Sequence, residues 1–349
     1  MHEQLPTCYE LLPRVSRTFA LNIRILPGEL RPAVTTAYLL FRLADTIEDA
    51  PGLTPDDRST LFTSFQDRLD GDAPLTFAPE ILTRLRPAIP EAEVALVDAA
   101  ETVFSVFESL PEDTREIIST HVAETARGME RFAQERTEDG LFRLETWRDL
   151  DEYCYYVAGT IGIMLTRLFV ASRPRLGEFQ GKKLTALATS FGRGLQLTNI
   201  LKGVGPDRTE NRVYLPAEAL AKHGATPQEL LDPASHGAIR AVIDEIVPRA
   251  LQDLEDALGY TSLLSRREVR IRLFCLWPLF TAVRTLALIS TNKDVDPTRQ
   301  PKIPRTALYQ EMAFCVAQAS SNTLLRQRFE RFRRELFPAR PRREVWAGS

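Results

Sequence analysis

Through seven stretches, residues 29 to 49, 97 to 133, 144 to 172, 182 to 203, 236 to 259, 265 to 291 and 306 to 336, apolar residues recur three or four positions apart. That spacing gathers them on one face of an α-helix, whereas the alternation of a half-buried strand is scarce. An all-α fold is therefore expected. Breaks fall where turn-forming residues crowd, at Asp49 to Asp56, Asp70 to Pro74, Pro206 to Pro216 and Asn292 to Pro304. None reads as a long flexible linker and no internal repeat is present. The chain of 349 residues is expected to form a single helical domain over 1–337, with a short frayed tail over 338–349.

An apolar share of 44% with 26% charged residues is enough for a large core. With 47 acidic and 44 basic residues, a net charge of −3 supplies no attraction to nucleic acid. Cys8, Cys154, Cys275 and Cys315 are scattered, with neither CxxC spacing nor companion histidines. They indicate no zinc site and no disulfide framework, and they suit a reducing cytoplasm. Met1-His2-Glu3-Gln4 lacks the basic start and apolar run of a secretory signal. The most apolar stretch, Leu273 to Val283, is about half the length a bilayer-spanning helix needs and is flanked by Arg272 and Arg284, so no transmembrane segment is expected. The arginine-rich run from Arg326 to Arg343 reads first as a solvated helix face. Weak peripheral contact with an anionic membrane surface is a second reading of it.

Chemistry concentrates on the helix expected through residues 31 to 49. Tyr38, Arg42, Asp45 and Asp49 follow one another at steps of four, three and four, so they share a face, with Glu48 beside them. Magnesium takes oxygen ligands, usually one or two protein carboxylates completed by water and phosphate oxygens, and acids one turn apart suit it. In isolation an Asp-x-x-Glu-Asp run is more often solvated and paired with a neighbour such as Arg42. Here the surrounding Tyr38-Leu39-Leu40-Phe41-Arg42-Leu43-Ala44 is apolar enough to bury the helix, and buried acids need partners or metals.

Two further helices carry polar groups on otherwise apolar faces. Over residues 182 to 203, Gln196, Asn199 and Gly203 form one stripe, with Asp207 a further step of four along it. Gly192-Arg193-Gly194 would let this helix approach a neighbour or a ligand closely. The stretch Tyr153-Cys154-Tyr155-Tyr156-Val157-Ala158-Gly159-Thr160-Ile161-Gly162 joins three tyrosines to small residues one turn later, which leaves space for a ligand. Clustered tyrosines alone are more often core than catalytic.

Taken together, these blocks resemble the squalene and phytoene synthase family, and more closely its squalene synthase branch. The likeness begins at Ser16-Arg17-Thr18-Phe19-Ala20 and runs through Tyr38 to Asp49 and Tyr153 to Gly162. It continues at Gln196-Leu197-Thr198-Asn199-Ile200-Leu201, Asn211-Arg212-Val213-Tyr214-Leu215-Pro216 and Phe274-Cys275-Leu276-Trp277-Pro278. The resemblance implies the isoprenoid synthase fold, a helical bundle around one deep cavity with magnesium and diphosphate at its mouth. It implies a Mg²⁺-dependent transferase, with Mn²⁺ as an alternative ion, that joins two farnesyl diphosphates head to head through presqualene diphosphate. Rearrangement and reduction by NADPH would then yield squalene. A phytoene or dehydrosqualene synthase, or an enzyme of one half-reaction, is the nearest alternative. A noncatalytic prenyl-lipid binder or assembly factor is the alternative from another class.

Carried over by motif, Asp45, Glu48, Asp49 and Asp207 would be metal ligands, while Ser16, Arg17, Arg42, Gln196, Asn199, Lys202 and Arg212 would bind substrate. Tyr153, with Arg42 and Tyr38, would be catalytic. Lys302 and Arg305 occupy the place of a basic loop linked to NADPH. One departure stands out. The family's second acid motif reads Asn-Ile-x-Arg-Asp-x-x-Glu-Asp, and here Asn199 to Asp207 carries Gly203 at a key aspartate. Gly203, Gly205 and Pro206 are expected to end the helix early and hold Asp207 away from the metal. Three explanations stay open: water or Glu210 completes the metal shell, only part of the two-step reaction is kept, or catalysis is lost.

Overall fold

The computed structural model describes residues 3–71, 74–75, 79–134, 140–173, 177–291 and 296–337. The tail over 338–349 lies outside them. The first half contains α1 (Leu5–Val15), α2 (Arg17–Arg24), α3 (Leu30–Asp49), α4 (Pro55–Asp70), α5 (Pro79–Leu85), α6 (Glu91–Asp98), α7 (Ala100–Glu108) and α8 (Glu112–Gln134). The second half contains α9 (Trp147–Cys154), α10 (Thr160–Ser172), α11 (Gly177–Thr209), α12 (Ala217–Lys222), α13 (His236–Leu263), α14 (Val269–Thr291), α15 (Arg305–Gln318) and α16 (Asn322–Leu336). The long periodic stretches are helices, and the stretch from 97 to 133 is divided among α6, α7 and α8.

Strand is confined, among the described residues, to β1 (Phe142–Arg143) and β2 (Arg212–Val213), paired in parallel with Phe142 opposite Arg212. This small ladder matters for the site because it fixes residues 212 to 214. Asn211 precedes it in the left-handed region, at φ 58°, a conformation asparagine tolerates better than most residues. The turn carries the chain out of α11 and into β2.

The helices pack α3 on α8, α10 and α13 on α11, and α14 on α13 and α16. Close approach of α10 to α11 depends on glycine. A Cβ on Gly192 would stand 2.5 Å from the carbonyl carbon of Ala158, and one on Gly162 would stand 3.0 Å from that of Ala188. The glycines around residue 192 thus serve a neighbouring backbone. Between α9 and α10 the chain makes a π-helical turn over Tyr155–Gly159, a form of helix that recurs at functional sites.

Trp147–Ser172 and Val269–Thr291 are long and apolar enough to cross a membrane by length and composition alone. In the fold both helices help wall an internal cavity. Arg272, which the sequence places at the edge of the apolar stretch, is fully buried. It donates to the carbonyls of Thr261, Leu264 and Ala319, closing the end of α13. All four cysteines are buried thiols.

The helix α11 corrects one expectation. It does not stop at Gly203 but runs through Gly205 and Pro206 to Thr209. A proline in the last turn costs only one amide donor, and the hydroxyl of Thr209 donates to the carbonyl of Pro206 at 2.6 Å. Gly205 is held by packing, since a Cβ there would stand 2.9 Å from the carbonyl carbon of Thr298.

Candidate active site

The acid helix α3 ends where it does because another helix caps it. Buried Arg58, on α4, donates to the carbonyls of Glu48 (3.2 Å), Ala50 (2.5 Å) and Leu53 (2.7 Å). These bonds satisfy orphan carbonyls at the helix end and so fix the turn bearing Asp45, Glu48 and Asp49.

Beside that turn opens a cavity of about 380 Å³, within the size range of small-molecule sites. Its walls include Val34 and Phe41 from α3, Val157 from the π-helical turn, Phe169 from α10, Phe191 from α11 and Phe274 from α14. Its polar lining includes Tyr38, Arg42, Asp45, Tyr153, Gln196 and Asn199. Sequence spacing foresees that gathering for α3. Only the tertiary fold brings Tyr153 of α9 and Gln196 and Asn199 of α11 to the same space.

Each acid of α3 has a partner. Arg42 donates to Asp45 and, from its other terminal nitrogen, to Glu93 on α6. Arg212, on β2, donates to both Asp49 and Glu210. Burial, with Asp49 and Glu93 nearby, raises the Asp45 carboxyl to about 7 against the opposing pull of Arg42 and Arg212. Arg42 and Arg212 are both pushed up by their acids in spite of burial. Glu48 is buried, and its charge bears on Tyr153 and Tyr214.

Those two tyrosines form a pair. Tyr153 donates to the hydroxyl of Tyr214 at 3.3 Å, and the rings lie 4.9 Å apart with Phe142 against both. Burial holds both phenols well above their ordinary range, helped for Tyr153 by Tyr214, Glu48 and Asp49. They therefore stay protonated at neutral pH. Glu93 and Tyr214 are the residues that sequence reasoning missed. Tyr214 falls within the Asn211–Pro216 block, where no spacing marks it, and nothing marks Glu93 as the partner of Arg42 across 51 positions.

The remaining candidates divide. Ser16 caps α2, accepting from the amide of Phe19 at 3.3 Å, and its hydroxyl also bonds Tyr38. Arg17 and Lys202 are exposed and outside the cavity lining. Lys302 lines a separate cavity of about 480 Å³ with Arg240 and Arg299, and Arg305 is exposed at the start of α15. Asp207 remains on α11, half-buried. Burial, with Glu210 and Asp49 also pushing upward, raises it to about 6 against the pull of Arg212.

The donor set fits magnesium in one particular way. Among the described residues no three acidic, histidine or cysteine side chains stand together as a ready metal cage. Mg²⁺ takes only one or two protein carboxylates when phosphate oxygens complete its shell, and Asp45 and Asp49, one turn apart on α3, are acids of that kind. The Nε atoms of Arg42 and Arg212 are buried without a hydrogen-bond partner. Such donors suit an anion arriving with the metal.

Comparison with known proteins agrees with this geometry. Residues 12–307 match the profile described as Squalene/phytoene synthase. The chain is 32% identical over 299 residues to a squalene synthase of Schizosaccharomyces pombe, covering 85% of this chain and 62% of that protein. It is 31% identical over 298 residues to the squalene synthase of Rattus norvegicus, covering 84% and 66%. The matched part thus spans somewhat under two thirds of these relatives' length. Among solved structures, a complex of TcSQS with the ligand E5700 superposes with a TM-score of 0.78 at 26% identity, covering 96% of this chain and 97% of that one. A dehydrosqualene synthase shares the fold at a TM-score of 0.64 and 20% identity, covering 91% and 97%. An all-α isoprenoid synthase fold, an apolar cavity lined by Arg42 and Asp45 of the acid helix, and a match over most of its length show that this chain belongs to the squalene/phytoene synthase family.

Proposed function

We propose that the chain is a squalene-synthase-type prenyltransferase that joins two farnesyl diphosphates head to head through presqualene diphosphate, with NADPH reducing the product to squalene. The observation that carries this reading is the meeting of the Arg42–Asp45 pair, Tyr153, Gln196 and Asn199 in the lining of one apolar cavity. Prenyl chains would lie along Val34, Phe169 and Phe274, and the diphosphate would face Arg42 and Arg212. Asp45, Asp49 and Asp207 would hold Mg²⁺, which would supply charge neutralisation for the leaving diphosphate. Arg42 and Arg212 add hydrogen bonds to its oxygens where negative charge develops.

The C1–O bond of one substrate breaks, the double bond of the second takes up the allylic cation, and loss of a proton closes a cyclopropane. Apolar walls keep water from the cation. Tyr153 presents a protonated phenol and a ring face to it, the latter attractive to positive charge. Gln196 and Asn199 orient the second diphosphate. Lys302 and Arg299, beside their own cavity, suit the phosphates of a dinucleotide, which supports NADPH as reductant.

Incubation with farnesyl diphosphate and Mg²⁺ is expected to give presqualene diphosphate without NADPH and squalene with it. Presqualene diphosphate in both cases would establish the half-reaction enzyme. Failure to turn over farnesyl or geranylgeranyl diphosphate at any Mg²⁺ concentration would overturn the assignment. Prenyl binding without diphosphate release would point to a noncatalytic binder instead.

A further inference from the structure

The two glycines at the departure from the acid pattern each make room for a specific group. A Cβ on Gly203 would stand 2.9 Å from Cγ of Asp207 and closer still to one of its oxygens. The carboxylate from the following turn is therefore folded back over the Gly203 backbone, in space that a side chain at 203 would enter. Gly205 likewise makes room for the Thr298 carbonyl. Both glycines lie inside a continuous α11, where glycine is among the least favourable residues. Asp207 makes no hydrogen bond or ion pair with another described side chain, although Arg212, Glu210 and Asp49 all act on it electrostatically. Arg212 is already committed to Asp49 and Glu210. Asp207 is thus a half-buried acid without a partner, beside the turn that carries the first acid face.

We propose that Gly203 is a positioning residue: by omitting a side chain it seats the carboxylate of Asp207, the acid this motif keeps, toward Asp49 and Arg212, so that one acid serves the second face of the mouth. This rests on the reading that the mouth takes a divalent cation with diphosphate. It makes Gly203 part of a rebuilt site, not a lesion in it. Any side chain at 203, including the aspartate of the family pattern, would have to displace Asp207.

The test is calorimetric titration of the full chain with Mn²⁺ and inorganic pyrophosphate, with the Mn²⁺ EPR spectrum as a second readout. Gly203→Ala and Asp207→Asn are each expected to weaken binding roughly tenfold, in the range seen when a metal site loses a supporting group. The double variant should be no weaker than Asp207→Asn alone, because both changes remove one interaction. Gly203→Ala should keep or raise the unfolding temperature, since alanine favours a helix, which separates misplacement of Asp207 from misfolding. Gly203→Asp should also weaken binding. Wild-type affinity in Gly203→Ala, additive losses in the double variant, or tighter binding by Gly203→Asp would each overturn the proposal while leaving the transferase reading intact. No binding of Mn²⁺ and pyrophosphate by the wild type would overturn both.

Discussion

The two sides of the mouth are built differently. On α3 the acids are fixed from both directions: Arg58 caps the helix end, and Arg42 and Arg212 hold Asp45 and Asp49. On α11 a single acid, Asp207, lies over a glycine without an ion pair. The first side is preorganised by charge pairs that already include basic groups suited to diphosphate. The second depends on space left free. The difference teaches that an acid which a motif keeps can lie over the position of one it has lost, because a helix turn brings the residue four places on within reach of the same volume.

The largest expected effect tests the first side. Asp45→Asn should lower turnover of farnesyl diphosphate by about a thousandfold or more with the helical circular dichroism unchanged, since a charge and a ligand are lost together. Asp207→Asn should cost far less, about tenfold. Equal losses would break the asymmetry between the two sides.

Arg212 spans the sides, so Arg212→Lys should reduce kcat/KM by about a hundredfold although the charge is retained, because lysine cannot make the forked contact. A loss of less than threefold would mean that charge alone suffices there.

Two glycines sharpen the contrast on α11. Gly192 meets the backbone of Ala158, which cannot swing aside, so Gly192→Ala should destabilise the fold by about 2 kcal/mol through overpacking. Gly203 meets only the end of a side chain, so Gly203→Ala should not destabilise it. Urea unfolding of both variants distinguishes the cases.

The smallest effect concerns the metal-free protein. Burial raises the Asp45 carboxyl to about 7, so between pH 4 and 7 the folded chain holds a proton that the unfolded chain has released. Stability from this group therefore falls as pH rises through that window. Asp45→Asn should flatten the fall and raise the unfolding midpoint at pH 7.5 by about 2 °C, the equivalent of roughly 1 kcal/mol. A lower midpoint would show that the bond from Arg42 outweighs the desolvation.

Much of the site was legible because its residues share local spacing. Tyr38, Arg42, Asp45 and Asp49 fall on one helical face by arithmetic, and Gln196 and Asn199 do so on α11. Less legible was what each charge would meet. Arg212 reaches Asp49 across 163 positions, and Glu93 reaches Arg42 from a helix with no motif. The expected break at Gly203 failed for a related reason. Glycine and proline weaken a helix locally, but packing of Gly205 against Thr298 and the Thr209 bond to Pro206 carry α11 onward.

The sequence by itself determined the helical class, the acid face of α3 and the family to which the chain belongs. These follow from periodicity and short motifs, which depend on neighbours along the chain. Tertiary structure alone decided that Arg42 and Arg212 hold the acids, that Tyr214 supports Tyr153, and that Asp207 lies in the space left by Gly203. Such choices depend on which buried charge or ring finds a partner when distant helices close on one cavity, and spacing along a single helix does not encode them.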